Sequence, residues 1–362
     1  MSLDELLDGY DRRDWQTAEP GAGPVRLALV GLGWWTTDVA MPAIEDSTFC
    51  ETTVLVSGSR EKAKRVAGKH DVDAITYEEF HDGAAADAYD AVYVATPNAL
   101  HLEHVESGAA HGKAVLCEKP LEASVERGRR LVEAAEDAGV PLMTGYRMQT
   151  EPAVRRAREL IADGFLGDPV HAQGTNTQPV LEMIPDPDQW RLDSDLTGYG
   201  TSVMDLGIYP INTARYLLDR DPVAASARMQ SPNEAFADVP DERAAFTLTF
   251  EDDLPLLATA SQNAQDDSRL TITGTEGRVE LRPAFHGTAT LRAARGDVSA
   301  EITTGYDARR ETEELFDYFA DRVLTGDPVG PDGRHGLADL RTIRAIHEAA
   351  EHGGTVGIAD GL

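Results

Sequence analysis

Between residues 25 and 146, five short runs are almost unbroken in apolar character: VRLALV (25–30), TTVLVSG (52–58), AVYVAT (91–96), AVLCEK (114–119) and PLMTGY (141–146). They alternate with stretches of helical periodicity at 36–45, 61–70, 99–111 and 124–138. Strands without polar alternation are buried on both faces. Parallel neighbours cannot be joined by a tight turn, so a helix must lie between them. The pattern predicts an α/β Rossmann domain, a doubly wound parallel sheet, over residues 25–148.

The texture changes after a helix expected over 152–164. VHAQGTNTQ (170–178), PVAASARMQ (222–230), RAAFTLTFE (243–251), LPLLATASQ (254–262), SRLTITGT (268–275), GRVELRP (277–283) and TATLRAAR (288–295) are rich in β-formers and separated by turn residues. They predict an α+β domain over 149–362, built on one large, mostly antiparallel open sheet. Helices are expected at 204–218, 309–324 and 336–352. Residues 1–24 read as a short amphipathic arm that ends in a Pro/Gly-rich linker. Leu6, Leu7, Tyr10 and Trp15 are apolar enough to pack on a neighbouring subunit, and a frayed terminus is the alternative.

Two domains suit 362 residues. The chain carries 63 acidic and 33 basic side chains, a formal charge of −30. Such a charge repels nucleic acid and anionic membrane surfaces, so neither is an expected partner. Only five of the basic residues are lysines, and the acids are scattered. An evenly acidic, lysine-poor surface resembles proteins of salt-loving archaea, whose molar salt screens self-repulsion; an acidic mesophilic enzyme is the alternative. Cys50 and Cys117 have no paired spacing, so neither a disulfide framework nor a metal site is implied. Residues 1–24 contain no apolar signal-like core, and no apolar run reaches the ~18 residues of a membrane span. The expectation is a cytoplasmic protein.

VRLALVGLGWWTT sets Gly31, Leu32, Gly33, Trp34 and Trp35 at the junction of the first strand and a helix. Glycines there let the backbone approach a pyrophosphate at the positive helix N-terminus. The third glycine position holds Thr36, and a lone G-x-G also fits an ordinary strand-to-helix turn. NAD-preferring folds usually end the second strand with an acid. Here Ser57, Ser59, Arg60 and Lys62 stand instead, a set suited to the 2′-phosphate of NADP. The alternative is that Arg60 and Lys62 are solvated first-turn residues of a helix.

Three segments, VATPNALHLEHV, AVLCEKPLEASVERGRRLVEAA and GYRMQTEPAVRRARELI, resemble the glucose–fructose oxidoreductase and inositol dehydrogenase family. Within it, the pattern is most similar to NADP-using, xylose-oxidising members from salt-loving archaea. The resemblance implies oxidation at C1 of an aldopyranose, D-xylose above all, to a lactone, with NADP as cofactor and no metal. It implies that Lys119 of the Glu118-Lys119-Pro120 triplet is catalytic, with the peptide before Pro120 typically cis. It places Tyr209 where other members carry His, as proton relay beside Lys119. Four residues apart on a helix, Asp205 and Tyr209 share one face, and Asp205 is expected to bind a sugar hydroxyl or orient the tyrosine.

By the same resemblance Thr96, Pro97, Asn98 and His101 form the loop beside the nicotinamide ribose. Arg147, Trp190 and Arg191 lie near the nicotinamide, and Asn176 reaches the sugar. For His101 a satisfied position at a helix start, and for Trp190 simple packing, remain open. A homodimer or homotetramer through the C-terminal sheet is expected. Two rival functions stand beside this one: a dihydrodiol or other polyol dehydrogenase, and a catalytically silent NADP-binding regulator.

Overall fold

The computed structural model describes residues 9–19 and 21–358. Leu6 and Leu7 of the expected arm lie outside the described residues. The described residues divide into two compact units, one within 13–147 and 308–337, the other within 9–12, 148–307 and 338–358.

The first unit holds six parallel strands: β1 (Val25–Val30), β2 (Cys50–Ser57), β3 (Asp73–Thr76), β4 (Ala91–Val94), β5 (Ala114–Cys117) and β6 (Leu142–Thr144). Their order is β3-β2-β1-β4-β5-β6, reversing direction of growth at β1, as in a doubly wound sheet. β1, β4 and β5 are buried almost throughout, the condition that their unbroken apolar runs require. β3 was not expected, because its DAIT sequence sits half-exposed at the sheet edge and shows no apolar run.

Residues 308–337, assigned by sequence to the C-terminal domain, belong to this first unit. The reason is the apolar stripe of helix Ala308–Thr325: Leu315, Phe316, Phe319 and Ala320 share one core with Leu27, Leu29, Ile44 and Tyr93. The arm lies against the same helix. Trp15 meets Tyr318 edge to face at 5.4 Å, and the Asp321 carboxylate accepts the Thr17 and Ala18 N–H groups at 2.8 and 2.7 Å.

The second unit is built on nine strands: β7 (Pro169–Pro179), β8 (Pro222–Gln230), β9 (Arg243–Phe250), β10 (Pro255–Ser261), β11 (Asn263–Gly274), β12 (Gly277–Leu281), β13 (Thr290–Arg295), β14 (Val298–Thr303) and β15 (Thr355–Gly357). The order is β14-β13-β12-β11-β7-β10-β9-β8-β15. β7 and β10 pair parallel, and the other neighbouring pairs are antiparallel. The alternation expected of a sheet covered on one face is present: Ala244, Phe246, Leu248 and Phe250 of β9 point inward. β14 and β15 escaped the sequence reading, one being largely exposed and the other only three residues long.

The helix expected at 204–218 has two parts, a widened π-turn at Val203–Gly207 and an α-helix at Ile208–Leu218. Pro210 brings no N–H to the carbonyl of Leu206 one turn back. The Asn176 side chain from β7 donates to that carbonyl at 3.2 Å. Further along, Arg215 is buried between Asp339 at 2.7 Å and Asp221 at 2.6 Å, and Asn212 donates to the same Asp339 at 2.7 Å. Asp339 is fully enclosed.

Removing one member of such a pair strands the other in a medium of low dielectric. Asp339→Ala is therefore expected to cost about 3–5 kcal/mol in denaturant unfolding followed in molar potassium chloride, and the double replacement Arg215→Met, Asp339→Leu to recover much of it. A single variant as stable as the parent would show that the network does not hold the helix.

Candidate functional site

In the first unit every expected cofactor segment follows the carboxyl end of a strand. After β1 the chain turns at Gly31 with φ +93°, and a Cβ there would lie 2.6 Å from the Ala95 carbonyl, so only glycine fits. Around Gly33 no atom lies within 4 Å of where a Cβ would stand, which leaves the helix start open to a ligand. Thr36, in the third glycine position, is buried and donates its hydroxyl to the Gly31 carbonyl at 2.6 Å, pinning the turn. Leu32 is buried beneath the loop, whereas Trp34 is 47% exposed beside it. An open cradle over main-chain N–H groups fits a dinucleotide pyrophosphate.

At the end of β2 the four expected residues meet at one helix start. The buried Ser57 hydroxyl accepts the Ser59 N–H at 3.2 Å, and the Ser59 hydroxyl caps helix Arg60–Ala67 by accepting the Lys62 N–H, also at 3.2 Å. The Arg60 guanidinium is paired with Glu79 at 2.7 Å, an acid that sequence reasoning did not name. Glu79 belongs to a capping box with Thr76, and the guanidinium beside it and the Thr76 N–H hold its carboxyl below the usual range. Both members of the pair are exposed, so the interaction is weak and exchangeable.

β4 leads into Thr96, Pro97 and Asn98. The Thr96 hydroxyl oxygen is buried without a hydrogen-bond partner, an orphan that a cofactor hydroxyl would satisfy. His101 belongs to the scaffold. Its ring is fully buried, with Nε2 2.9 Å from the Thr96 carbonyl and Nδ1 3.1 Å from the Leu121 carbonyl. Burial lowers its pKa, and a neutral imidazole holds one N–H for the two carbonyls. Both ring nitrogens are thus engaged at the start of the helix.

Glu118 and Lys119 follow β5, and the Lys119–Pro120 peptide is cis. The Glu118 carboxylate accepts the Tyr93 hydroxyl at 2.7 Å and the Lys119 N–H at 3.1 Å. Trp35 in turn donates its Nε1–H to the Tyr93 oxygen at 3.0 Å, linking the ends of β1, β4 and β5. Tyr93 was missed, although a tyrosine in a strand buried on both faces signals a hydroxyl in need of a partner. Arg147, after β6, lies over Trp35 at 5.3 Å and pairs with the buried Glu311 at 2.9 Å.

The second unit holds the other candidates. Asp205 lies in the π-turn, a widening common at functional sites. Its carboxylate receives Arg191 Nε at 3.1 Å and Gln262 Nε2 at 2.9 Å, and the Arg191 guanidinium lies 4.6 Å from the Trp190 ring centroid. Trp190, Arg191 and Asp205 are thus one chain of contacts. Gln262, between β10 and β11, has no signal in the sequence. Tyr209 opens the helix that follows, its ring 5.6 Å from Phe285 and 5.3 Å from His286. Asn176 is fully enclosed, with its amide engaged on Leu206 and its Oδ1 buried without a partner.

Residues 25–146 match the model of an oxidoreductase family with an NAD-binding Rossmann fold, and residues 154–280 match the GFO/IDH/MocA C-terminal domain. The chain is 52% identical to a D-xylose 1-dehydrogenase (NADP(+)) of Haloarcula marismortui, over 98% of this chain and 99% of that one. It is 31% identical to D-xylose 1-dehydrogenase (NADP(+)) 2 of Haloferax volcanii, over 91% and 98% of the two chains. Among solved structures, the aldose–aldose oxidoreductase from Caulobacter crescentus complexed with glycerol superposes with a TM-score of 0.86 at 31% identity, over 92% of this chain and all of that one. Two matched domains in tandem and relatives spanning nearly the whole chain establish that it belongs to the Gfo/Idh/MocA family of oxidoreductases.

Proposed function

We propose that the protein oxidises C1 of an aldopyranose, D-xylose first, to the corresponding lactone with NADP+. The observation that carries this reading is the 52% identity, over nearly all of both chains, with the Haloarcula D-xylose 1-dehydrogenase. Residues 25–148 bind the cofactor, and 149–362 serve substrate and assembly, with 308–337 returning to buttress the nucleotide-binding sheet. Two buried, unpaired thiols, Cys50 and Cys117, suit a reducing cytoplasm.

Gly31 and Gly33 admit the pyrophosphate to the helix start at Trp34. Ser57, Ser59, Arg60 and Lys62 take the 2′-phosphate, for which Arg60 gives up its exposed contact with Glu79. The Thr96 hydroxyl, with Pro97 and Asn98, faces the nicotinamide ribose, and Arg147 braces Trp35. When bound, NADP+ supplies the redox chemistry by accepting the C1 hydride. The protein supplies the proton path: Tyr209 acts as a relay, its Oη taking the C1 hydroxyl proton as it passes its own proton on to solvent, and the Lys119 ammonium stabilises the developing charge on the substrate oxygen. Asp205, oriented by Arg191 and Gln262, accepts a hydrogen bond from a sugar hydroxyl. Atoms balance, since C1 loses a hydride and its hydroxyl a proton as the carbonyl forms.

If Arg60 takes the 2′-phosphate, Arg60→Ala weakens NADP+ binding by about 1–3 kcal/mol and barely changes NAD+ binding, as a lost charge-assisted hydrogen bond requires. Fluorescence titration of both cofactors reads this directly, and equal losses would remove Arg60 from the phosphate site.

For the proton path, Tyr209→Phe and Lys119→Ala each lower kcat by ~10²–10⁴, and the double variant is scarcely worse than either because the groups act as one unit. Steady-state kinetics with D-xylose in high salt decide the matter. Additive losses mean separate roles, and a Tyr209→Phe enzyme with normal turnover means that another group carries the proton.

The outer face of the nine-stranded sheet leaves Leu257 exposed, and we assign it to pairing between copies of the chain as a homodimer or homotetramer. Light scattering in molar salt is expected to report a dimer or tetramer, and a stable monomer would refute this.

A further inference from the structure

The segment that carries Asp205 and Tyr209 begins at Thr201, deep in the second unit, where Thr201 and Ser202 are buried. The first N–H groups of a helix have no partner within it, and here water does not reach them. Asp241, at the turn before β9, supplies the acceptors. Its Oδ1 receives the Thr201 N–H at 2.6 Å and its Oδ2 the Val203 N–H at 2.8 Å. The carboxylate is itself 0% exposed.

The space around it admits no other arrangement. A Cβ on Gly200 would stand 2.3 Å from Asp241 Oδ1 and 2.5 Å from His347 Cε1. His347 Nε2 lies 3.8 Å from Asp241 Oδ2 and, buried, has no hydrogen-bond partner. Burial pushes the imidazole pKa down to about 4, so the ring is neutral and walls the carboxylate in without cancelling its charge. The neighbouring residue extends the same contacts toward the site. Ser202 donates to the Glu242 carbonyl at 2.9 Å and accepts the Gln262 N–H at 2.9 Å, and the Gln262 side chain holds Asp205.

We propose that Asp241 is a positioning residue for the reaction: enclosed by Gly200 and His347, its carboxylate fixes the rotation of the turn that presents Asp205 and Tyr209. The inference rests on the roles proposed above for those two residues. A negative group at the head of a helix also offsets the positive end of the helix dipole, but its larger consequence is geometric. A displacement of the reacting groups by ~1 Å can cost about a hundredfold in rate.

Asp241→Asn keeps the shape and turns a donor toward main-chain N–H groups that need an acceptor. Burial raises the Asp241 pKa to about 7, while the N–H groups of Val203, Thr201 and Ser202 hold it from rising further. The assays therefore use about pH 8.5, where the carboxylate is ionised. The expected result is a kcat for D-xylose lowered about tenfold to a hundredfold with the KM for NADP+ unchanged. Amide hydrogen exchange over residues 201–209 is expected to speed up. Gly200→Ala, which pushes the carboxylate aside, is expected to give the same split and carries the test if Asp241→Asn does not accumulate folded. Unchanged kcat and exchange overturn the proposal, as does a loss of NADP+ binding and thermal stability with kcat intact. Faster exchange with unaltered turnover also overturns it, and the activity of Tyr209→Phe then tells whether the fault lies in the catalytic assignment instead.

Discussion

Parallel pairing in the first sheet is the constraint on which the rest depends. A strand that must be followed by a parallel neighbour leaves the sheet at its carboxyl end, crosses a face as a helix and re-enters at the far edge. Loops with freedom to vary therefore collect along one edge, and Gly31, Ser57, Thr96, Lys119 and Arg147 each stand at or just past a strand end there. The edge is stiffened from within. Trp35, Tyr93 and Glu118 form a hydrogen-bonded chain across three strand ends, and the buried His101 ring lies between the carbonyls of Thr96 and Leu121. The His101 bonds lie where water does not compete, so losing either leaves a buried polar atom without a partner.

The second unit solves a different problem. One face of its sheet must be covered, and the helix Ile208–Leu218 that does so carries a proline where a helix needs an N–H. The compensation comes from across the unit: Asn176 of β7 satisfies the Leu206 carbonyl, and Asp241 satisfies the buried N–H groups at the start. The π-turn at Val203–Gly207 lies between these two anchors. Asp205 is thereby held by residues remote in sequence, Arg191 on one side and Gln262 on the other, and its orientation is a property of the folded sheet more than of its own helix.

Strands with unbroken apolar runs and the glycine turn after β1 were legible because each expresses a local rule, burial on both faces or a positive φ, whereas the Glu118-Lys119-Pro120 triplet was legible through its resemblance to a known family. β3 was not, since an edge strand such as DAIT needs no apolar run. The cover supplied by Ala308–Thr325 was legible as an amphipathic helix but not as part of the first unit, because a stripe of Leu315, Phe316 and Phe319 does not say which sheet it meets. His101 looked equally apt for cofactor or scaffold until its two carbonyl neighbours were seen. Arg60 reads as a free cation in sequence, whereas Glu79 reaches it only through the Thr76 capping box. For the helix Ala308–Thr325, His101 and Arg60 the missing information is a tertiary contact, which periodicity does not encode.

The choice between arginine and lysine follows from the charge. With 63 acids and 33 bases, a cation that can join two carboxylates is useful, and a planar guanidinium with five donors does so where an ammonium offers only a compact point charge. Arg13 reaches Glu314 at 2.8 Å and Asp317 at 2.7 Å, Arg127 joins Glu122 at 2.7 Å and Glu103 at 3.0 Å, and Arg215 joins Asp339 and Asp221. Of the five lysines, Lys113 donates to the Tyr89 carbonyl at 2.9 Å. Lys119, proposed above as a catalytic group, follows the buried strand β5, and a lysine's proton affinity responds to its surroundings where a guanidinium stays charged. The scarcity that marks the acidic surface is therefore the same feature that sets Lys119 apart.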